Sequence, residues 1–244
     1  MLIIVAVLVI AVLGGWYMFS SAKPGTNTNT NRNSNTAANT AKTSSIPTNA
    51  PPGASPPNQA GSQNALVTLE EFADFQCGSC AAAHPVMNEI KSIYGSRIRF
   101  VFRNFPLSIP EHDKAYDAAV AAEAAGLQGK FWDMQNMLFT NQKVWTKSPT
   151  FKQTWKEYAT KIGLDVAKWE NDQIGIGAAK NRVNADMDRG KAIGVNSTPT
   201  LYINGVSIGF SEMKVETLRG LIDAELQKLA PKEAAPANAG NENK

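Results

Sequence analysis

Cysteine and histidine are scarce in this chain of 244 residues, with two of each. The scarcity excludes a disulfide-stapled scaffold, and it excludes a zinc site built from cysteines alone, because structural zinc takes four ligands. An excess of one charge sign is missing from the body as well. Basic and acidic residues balance between positions 65 and 231, so the formal net charge of +3 comes from the tails, and the pI of 8.8 carries no nucleic-acid footprint. Acidic residues are absent from 23–64, where Asn, Thr, Ser, Ala, Pro and Gly dominate and only Lys23, Arg32 and Lys42 are charged. That composition buries too little apolar surface to fold, so 23–64 reads as a disordered linker with a root-mean-square span of roughly 35 Å. Positions 230–244 repeat it and read as a disordered tail. No internal repeat is visible, and the body at 65–229 is ample for one domain with its own core.

One long apolar run is present. Residues 2–19 carry no charge, and at about 1.5 Å per residue a helix of that length just crosses a ~30 Å hydrocarbon core. Trp16 and Tyr17 stand near its end, where aromatic rings suit the headgroup interface. The span 1–22 therefore reads as a transmembrane anchor; a cleaved signal peptide is the alternative, because Ser20 and Ala22 have the spacing a signal peptidase uses. Lys23 follows the run and no basic residue precedes it, against the positive-inside rule for an exported body. A large translocated domain obeys that rule less strictly than a short loop, and two closely spaced cysteines suit an oxidising compartment. The body is accordingly expected on the extracytoplasmic side, in the periplasm or at the cell surface.

The two cysteines stand as Cys77-Gly78-Ser79-Cys80. Before them Val67, Leu69, Glu71, Ala73 and Phe75 alternate with Thr68, Glu70, Phe72, Asp74 and Gln76 at strand period. After them Val86, Ile90 and Ile93 recur at helical spacing, so a strand delivers Cys77 to a helix N-terminus. There, unpaired amides and the helix dipole favour a thiolate and lower the Cys77 pKa. Two residues between the sulfurs let a mixed disulfide at Cys77 be resolved by Cys80. Thiol-disulfide exchange is thus the leading reading. A static disulfide and a tethered copper or zinc module using Cys77, Cys80 and His84 are the alternatives. Glu71 shares a strand face with Val67, Leu69, Ala73 and Phe75, so its carboxyl is expected to be buried. His112 has no partner in the sequence. Gly175 and Gly177 form no phosphate loop, and Asp186, Asp188 and Gly190 lack the spacing of a calcium loop; no cofactor and no metal are expected.

Farther along, Ile98, Phe100 and Phe102 alternate with Arg97, Arg99 and Arg103, which predicts a second strand with its arginines on the open face. A helical pattern runs over about 111–191, with an alanine-rich stretch that stops at Gly126 and an N-cap at Asp165. Thr200 to Ile203 and Val206 to Phe210 flank Asn204-Gly205 as a hairpin, and a helix from about Ser211 to Leu229 closes the body. A mixed sheet covered by helices packs that order of elements.

With Cys77-Gly78-Ser79-Cys80 after a strand, Pro85 five residues beyond Cys80, Thr198-Pro199 before another strand, and the segments 101–107 and 121–126, the body resembles the DsbA-like branch of the thioredoxin fold. The resemblance spans 65–229. It implies an α/β fold, a thioredoxin-like mixed sheet with a helical insertion at about 111–191. It also implies disulfide interchange in unfolded or partly folded exported polypeptides, and a membrane redox partner that resets the dithiol. On the same ground Cys77 is the attacking thiolate and Cys80 the resolving thiol, Glu71 moves the proton of Cys80, and Pro199 is a cis-proline. Gly78, Ser79, Thr198 and Pro199 then border the substrate, laid down by β-augmentation. Gly78-Ser79 replaces the Pro-His of the strongest oxidants, which implies a less oxidising disulfide.

Overall fold

The computed structural model of the chain describes residues 45–229. The expected anchor, the first part of the expected linker and the expected tail lie outside the described residues. Among those described, no helix is long and apolar enough to cross a membrane.

Five strands form one sheet in the order β1-β3-β2-β4-β5, made of β1 (Asn58–Gly61), β2 (Val67–Ala73), β3 (Ile98–Asn104), β4 (Thr200–Ile203) and β5 (Val206–Ile208). β2 and β3 run parallel, with Val67 opposite Ile98 and Ala73 opposite Asn104. Parallel neighbours need a crossover, and α1 (Gly78–Tyr94) supplies it. The other three pairings are antiparallel. β4 and β5 form the hairpin that Asn204-Gly205 predicts, both residues having positive φ (48° and 79°), which a two-residue turn of matching twist requires.

Between β3 and β4 lies the helical insertion: α2 (Ala115–Gly126), α3 (Phe131–Thr140), α4 (Gln142–Trp145), α5 (Phe151–Lys161), α6 (Val166–Asn171) and α7 (Ala178–Ala192). Asp165 caps α6 by accepting from the Lys168 amide at 3.0 Å. The small side chains of α2 let it sink into the core, where Ala118, Ala121, Ala122, Ala124 and Ala125 are inaccessible to solvent. α8 (Val215–Leu229) ends the fold and buries Leu218 and Ile222; a 3-10 turn at Phe210–Glu212 precedes it, so the helix starts four residues later than its apolar pattern suggests.

An aromatic stack ties sheet to insertion. Phe75, just after β2, lies 5.6 Å from Phe102 on β3 and 4.8 Å from Phe139 on α3, ring centroid to ring centroid. Burying each such ring contributes about 1.5–3 kcal/mol, with about 0.5–1.5 more for a favourable ring pair. On the other face α7 comes close enough that a Cβ on Gly190 would lie 2.5 Å from the Phe105 ring, so only glycine fits there.

Two expectations are corrected. The folded body does not begin at residue 65: within the expected disordered linker, Ser45 bridges to Val206 and β1 pairs with β3. Composition predicts no apolar burial there; Ile46 and Ala60 nevertheless pack against the core and Ala54 is buried, and polar contacts hold the rest of the segment. Arg103 reaches the carbonyls of Pro52 and Ala54, Arg182 that of Pro56, and Arg189 that of Pro51, at 2.7–3.0 Å. Nor does Arg103 point to solvent. β1 and β2 pair with the two edges of β3, and on the Arg103 face α7 and the segment before β1 lie over the strand. Arg103 is buried between Glu70 at 2.7 Å and Asp186 at 2.9 Å, and Arg189 holds the second oxygen of Glu70 at 2.7 Å.

Candidate active site

β2 ends at Ala73 and the chain turns through Asp74, Phe75 and Gln76 to Cys77, which stands at the N-cap of α1 with extended backbone (φ −72°, ψ 123°). No oxygen caps this helix, so a sulfur stands where an oxygen acceptor usually does. Of the sequence-predicted site residues, Cys77, Ser79 and Thr198 meet here. Cys77 Sγ lies 3.1 Å from Ser79 Oγ and 3.3 Å from the Thr198 carbonyl oxygen, to which Ser79 Oγ also donates at 3.3 Å. The Thr198-Pro199 peptide is cis and leads directly into β4, as expected from the resemblance. Gly78 is exposed at the first turn of α1.

Both cysteines are free thiols, and they are unequal. Cys77 keeps 8% of its surface exposed and Cys80 none. The Cys77 thiol is pulled down to about 4, chiefly by a hydrogen bond from the Cys80 thiol, with Ser79, Thr198 and the Cys80 amide assisting against the opposing effect of burial. Cys80 is pushed well up, first by burial and then by the neighbouring Cys77. Its Sγ accepts from the Asp74 amide at 3.5 Å.

Glu71 sits in β2 between Phe102 and Leu201 and is buried, as the strand period predicts. Burial raises its pKa to about 7, and the charge of Lys91 on α1 partly opposes the rise. The same burial lowers the pKa of Lys91, whose ammonium rests 4.4 Å from the Trp132 ring centroid.

Three contributors escape sequence reasoning. Asp74 is buried, and its carboxylate accepts from the amides of Gln76 (2.7 Å) and Leu107 (2.9 Å) while facing His112 Nδ1 at 2.6 Å. His112 thus has its partner in the turn before Cys77. Gln142, on α4, donates from Nε2 to the carbonyls of Phe75 and Cys77, at 2.8 Å each. Gln76 reaches the Glu111 carbonyl at 2.9 Å and accepts from the Lys114 amide at 2.8 Å. The only available signal was the polarity of Asp74 and Gln76 inside a buried turn; their partners come from distant segments.

His84 does not join the cysteines as a ligand. Its Nε2 lies 3.1 Å from both Asn136 Oδ1 and Asn88 Nδ2, and among the described residues no group of three His, Cys, Asp or Glu side chains is placed to hold a metal ion.

The profile of the family Thioredoxin_4, described as thioredoxin, matches residues 56–224. The chain belongs to the thioredoxin family. Among solved structures, this thioredoxin-family chain is similar to oxidised BdbD from Bacillus subtilis. The identity is 21%, the match covers 73% of this chain and 98% of that one, and the TM-score is 0.62. It is also similar to the thiol-disulfide exchange protein alpha-DsbA2 from Wolbachia pipientis, at 22% identity over 69% of this chain and 87% of that one, with a TM-score of 0.58. At these identities the likeness is one of fold, and the fold is the DsbA-like one. Of curated relatives, the Na(+)/H(+) antiporter NhaA 1 of Mycolicibacterium vanbaalenii is 35% identical over 147 residues, 60% of this chain and 23% of the antiporter. The match thus spans about a quarter of that relative's length.

Proposed function

We propose that this chain exchanges disulfides with exported polypeptides on the extracytoplasmic side of a membrane, with Cys77 as the exchanging sulfur and Cys80 as the resolving one. The observation that carries the reading is the inequality of the two thiols. The more accessible cysteine, Cys77, has a pKa near 4, whereas the fully buried Cys80 has a raised one.

In the oxidising direction a substrate thiolate attacks Cys77 Sγ of the Cys77-Cys80 disulfide. An S–S bond to Cys77 forms, the bond to Cys80 breaks, and Cys80 leaves with the electron pair. Because its pKa is high, Cys80 takes up a proton, and Glu71, near pKa 7, is the buried acid suited to supply one at neutral pH. A second substrate thiolate then attacks the substrate sulfur of the mixed disulfide and expels Cys77 as a thiolate. Two electrons have passed from the substrate dithiol to the protein. A low-pKa thiolate is a good leaving group and a stable product, so the disulfide is oxidising. Ser79 Oγ, 3.1 Å from Cys77, stands where the strongest oxidants have histidine, and turning its one proton from the Thr198 carbonyl to Cys77 gives the thiolate a hydrogen bond. This moves the reading toward oxidase, beyond what Gly78-Ser79 suggested from sequence.

The cis-peptide loop at Thr198-Pro199 borders Cys77, and an extended substrate segment pairs there in strand fashion, which suits unfolded polypeptides. A membrane redox partner reoxidises the dithiol, and the apolar run at 2–19 tethers the domain near it.

The test is trapping. The reduced Cys80→Ser protein is expected to attack a peptide disulfide through Cys77 and accumulate the mixed disulfide, the other peptide sulfur leaving as a thiolate, and Cys77→Ser to exchange with nothing. Continued exchange by Cys77→Ser would remove Cys77 from the mechanism. A reduction potential near thioredoxin's, about −270 mV, would reverse the assigned direction.

A further inference from the structure

A second surface begins one residue beyond Cys77. An open groove of about 610 Å³ begins at Gly78 and runs between α1 and the α3–α4 corner. None of its lining residues comes from the Thr198-Pro199 loop. We propose that this groove is a subsite for the stretch of polypeptide flanking the reacting cysteine, selecting acidic over basic residues there; the inference rests on the disulfide exchange proposed above.

The first argument is continuity. Once a polypeptide is joined to Cys77, its chain must leave the sulfur in two directions. One runs past Thr198-Pro199, and Gly78, without a side chain, leaves the other open. A Cβ on Gly78 would meet nothing within 4 Å. From Gly78 to Asn88 the helix face is about 15 Å long at 1.5 Å per residue, and four or five extended residues at about 3.3 Å each span it.

The second argument is chemistry. Ala81, Ala82, Pro85 and Phe139 make part of the lining apolar, and Pro85 interrupts the helix bonding on this face. Having no N–H, it leaves the Ala81 carbonyl without its usual donor four residues on, hence as an acceptor for a peptide amide. Asn88 and Asn136 converge on one nitrogen of His84, which either donates to Asn136 or accepts from Asn88, never both, so one amide always keeps a free group. Carbonyl, amide and imidazole are the groups an extended backbone pairs with. Gln142 lines the same groove and holds the Cys77 carbonyl, which links occupancy of the groove to the reacting loop.

The third argument is charge. The lining contains no Asp or Glu, and burial lowers the His84 pKa, leaving the ring neutral at pH 7. Lys143, exposed at the end of the groove on α4, is its one cationic side chain. An acidic residue in the flanking peptide is attracted and a basic one repelled.

Two dithiol peptides, identical except that Glu or Lys flanks the cysteines, test this with the full chain at low salt. A screened pair of this kind predicts about a threefold preference in kcat/KM for the Glu peptide. Lys143→Glu is expected to invert the preference, and Ala82→Trp, which fills the groove from an exposed position, to bring the ratio to about one. A ratio near one in the wild-type protein, or a preference that neither variant changes, overturns the subsite. Exchange with dithiothreitol is measured alongside. If the wild-type protein exchanges with dithiothreitol yet shows no preference, only the subsite falls; if it exchanges with neither dithiothreitol nor peptide, the disulfide-exchange reading falls instead.

Discussion

Cys77 and Cys80 are the same side chain in two environments, and the contrast between them is the chemistry of the site. One stands at a helix start within reach of Ser79 and Thr198, and the other is sealed beneath it. Glu71 belongs to the same scale. Its raised pKa means that the folded protein holds a proton which the unfolded chain releases. The cost of ionising it is absent below about pH 4.5, grows between 4.5 and 7, and is complete above 7. Glu71→Gln is therefore expected to leave stability nearly unchanged at pH 4 and to raise it at pH 8 by up to about 3 kcal/mol, at about 1.4 kcal/mol per pKa unit. The loss of the carboxylate facing Lys91 reduces that gain. Denaturant midpoints at the two pH values check it, and an equal shift at both would show that ionisation of Glu71 is not the cause. The same variant should slow the step at Cys80 without changing the thiolate titration of Cys77.

Among the elements, β3 departs most from its sequence pattern. Alternation placed Arg103 on an open face, because the period of a strand says which residues share a side and nothing about what covers that side. The cover is α7 and the segment before β1, and the arginine is buried with Glu70 and Asp186. Burial works against the Glu70 carboxylate, yet Arg189 and Arg103 outweigh it and its pKa falls below the ordinary value. Removing Arg103 leaves Asp186 buried without its ion pair, while Glu70 keeps Arg189. Arg103→Met is expected to cost about 3–5 kcal/mol, read as a lowered denaturant midpoint, and to loosen residues 51–56, read as faster amide exchange there. If the midpoint drops and exchange at 51–56 stays slow, the arginine does not hold the segment. The same element explains why composition misplaces the start of the folded body. A proline-rich stretch offers carbonyls with few amides, and the donors that satisfy them sit on β3 and α7, far away in the chain.

For the whole molecule, the redox state and the fold are linked through Cys77. Its folded pKa is depressed from the free value of about 8.5 to about 4. The reduced fold therefore gains stability that is complete above about pH 8.5 and is lost as pH falls through about 4. The oxidised protein has no thiol to titrate. The reduced form is expected to exceed the oxidised form in stability by more at pH 7 than at pH 4, with a difference of a few kcal/mol between the two pH values. Parallel denaturation of both forms checks this; an advantage that does not change with pH would mean that Cys77 is not a stabilised thiolate.

Local pattern sufficed for much of this protein. Strand period before Cys77, helix period after Cys80, Asn204-Gly205 and the alanine run ending at Gly126 each report on neighbours within a few residues, and backbone geometry obeys such neighbours directly. The burial of Glu71 was legible for the same reason. What only tertiary structure decided are the long-range polar pairings: Gln142 on the Cys77 carbonyl, His112 against Asp74, Arg103 between Glu70 and Asp186, and the capture of the segment before β1. Polar side chains look alike in sequence whether they face water or a buried partner. The partner is chosen by the packing of helices and sheet, which no local period encodes.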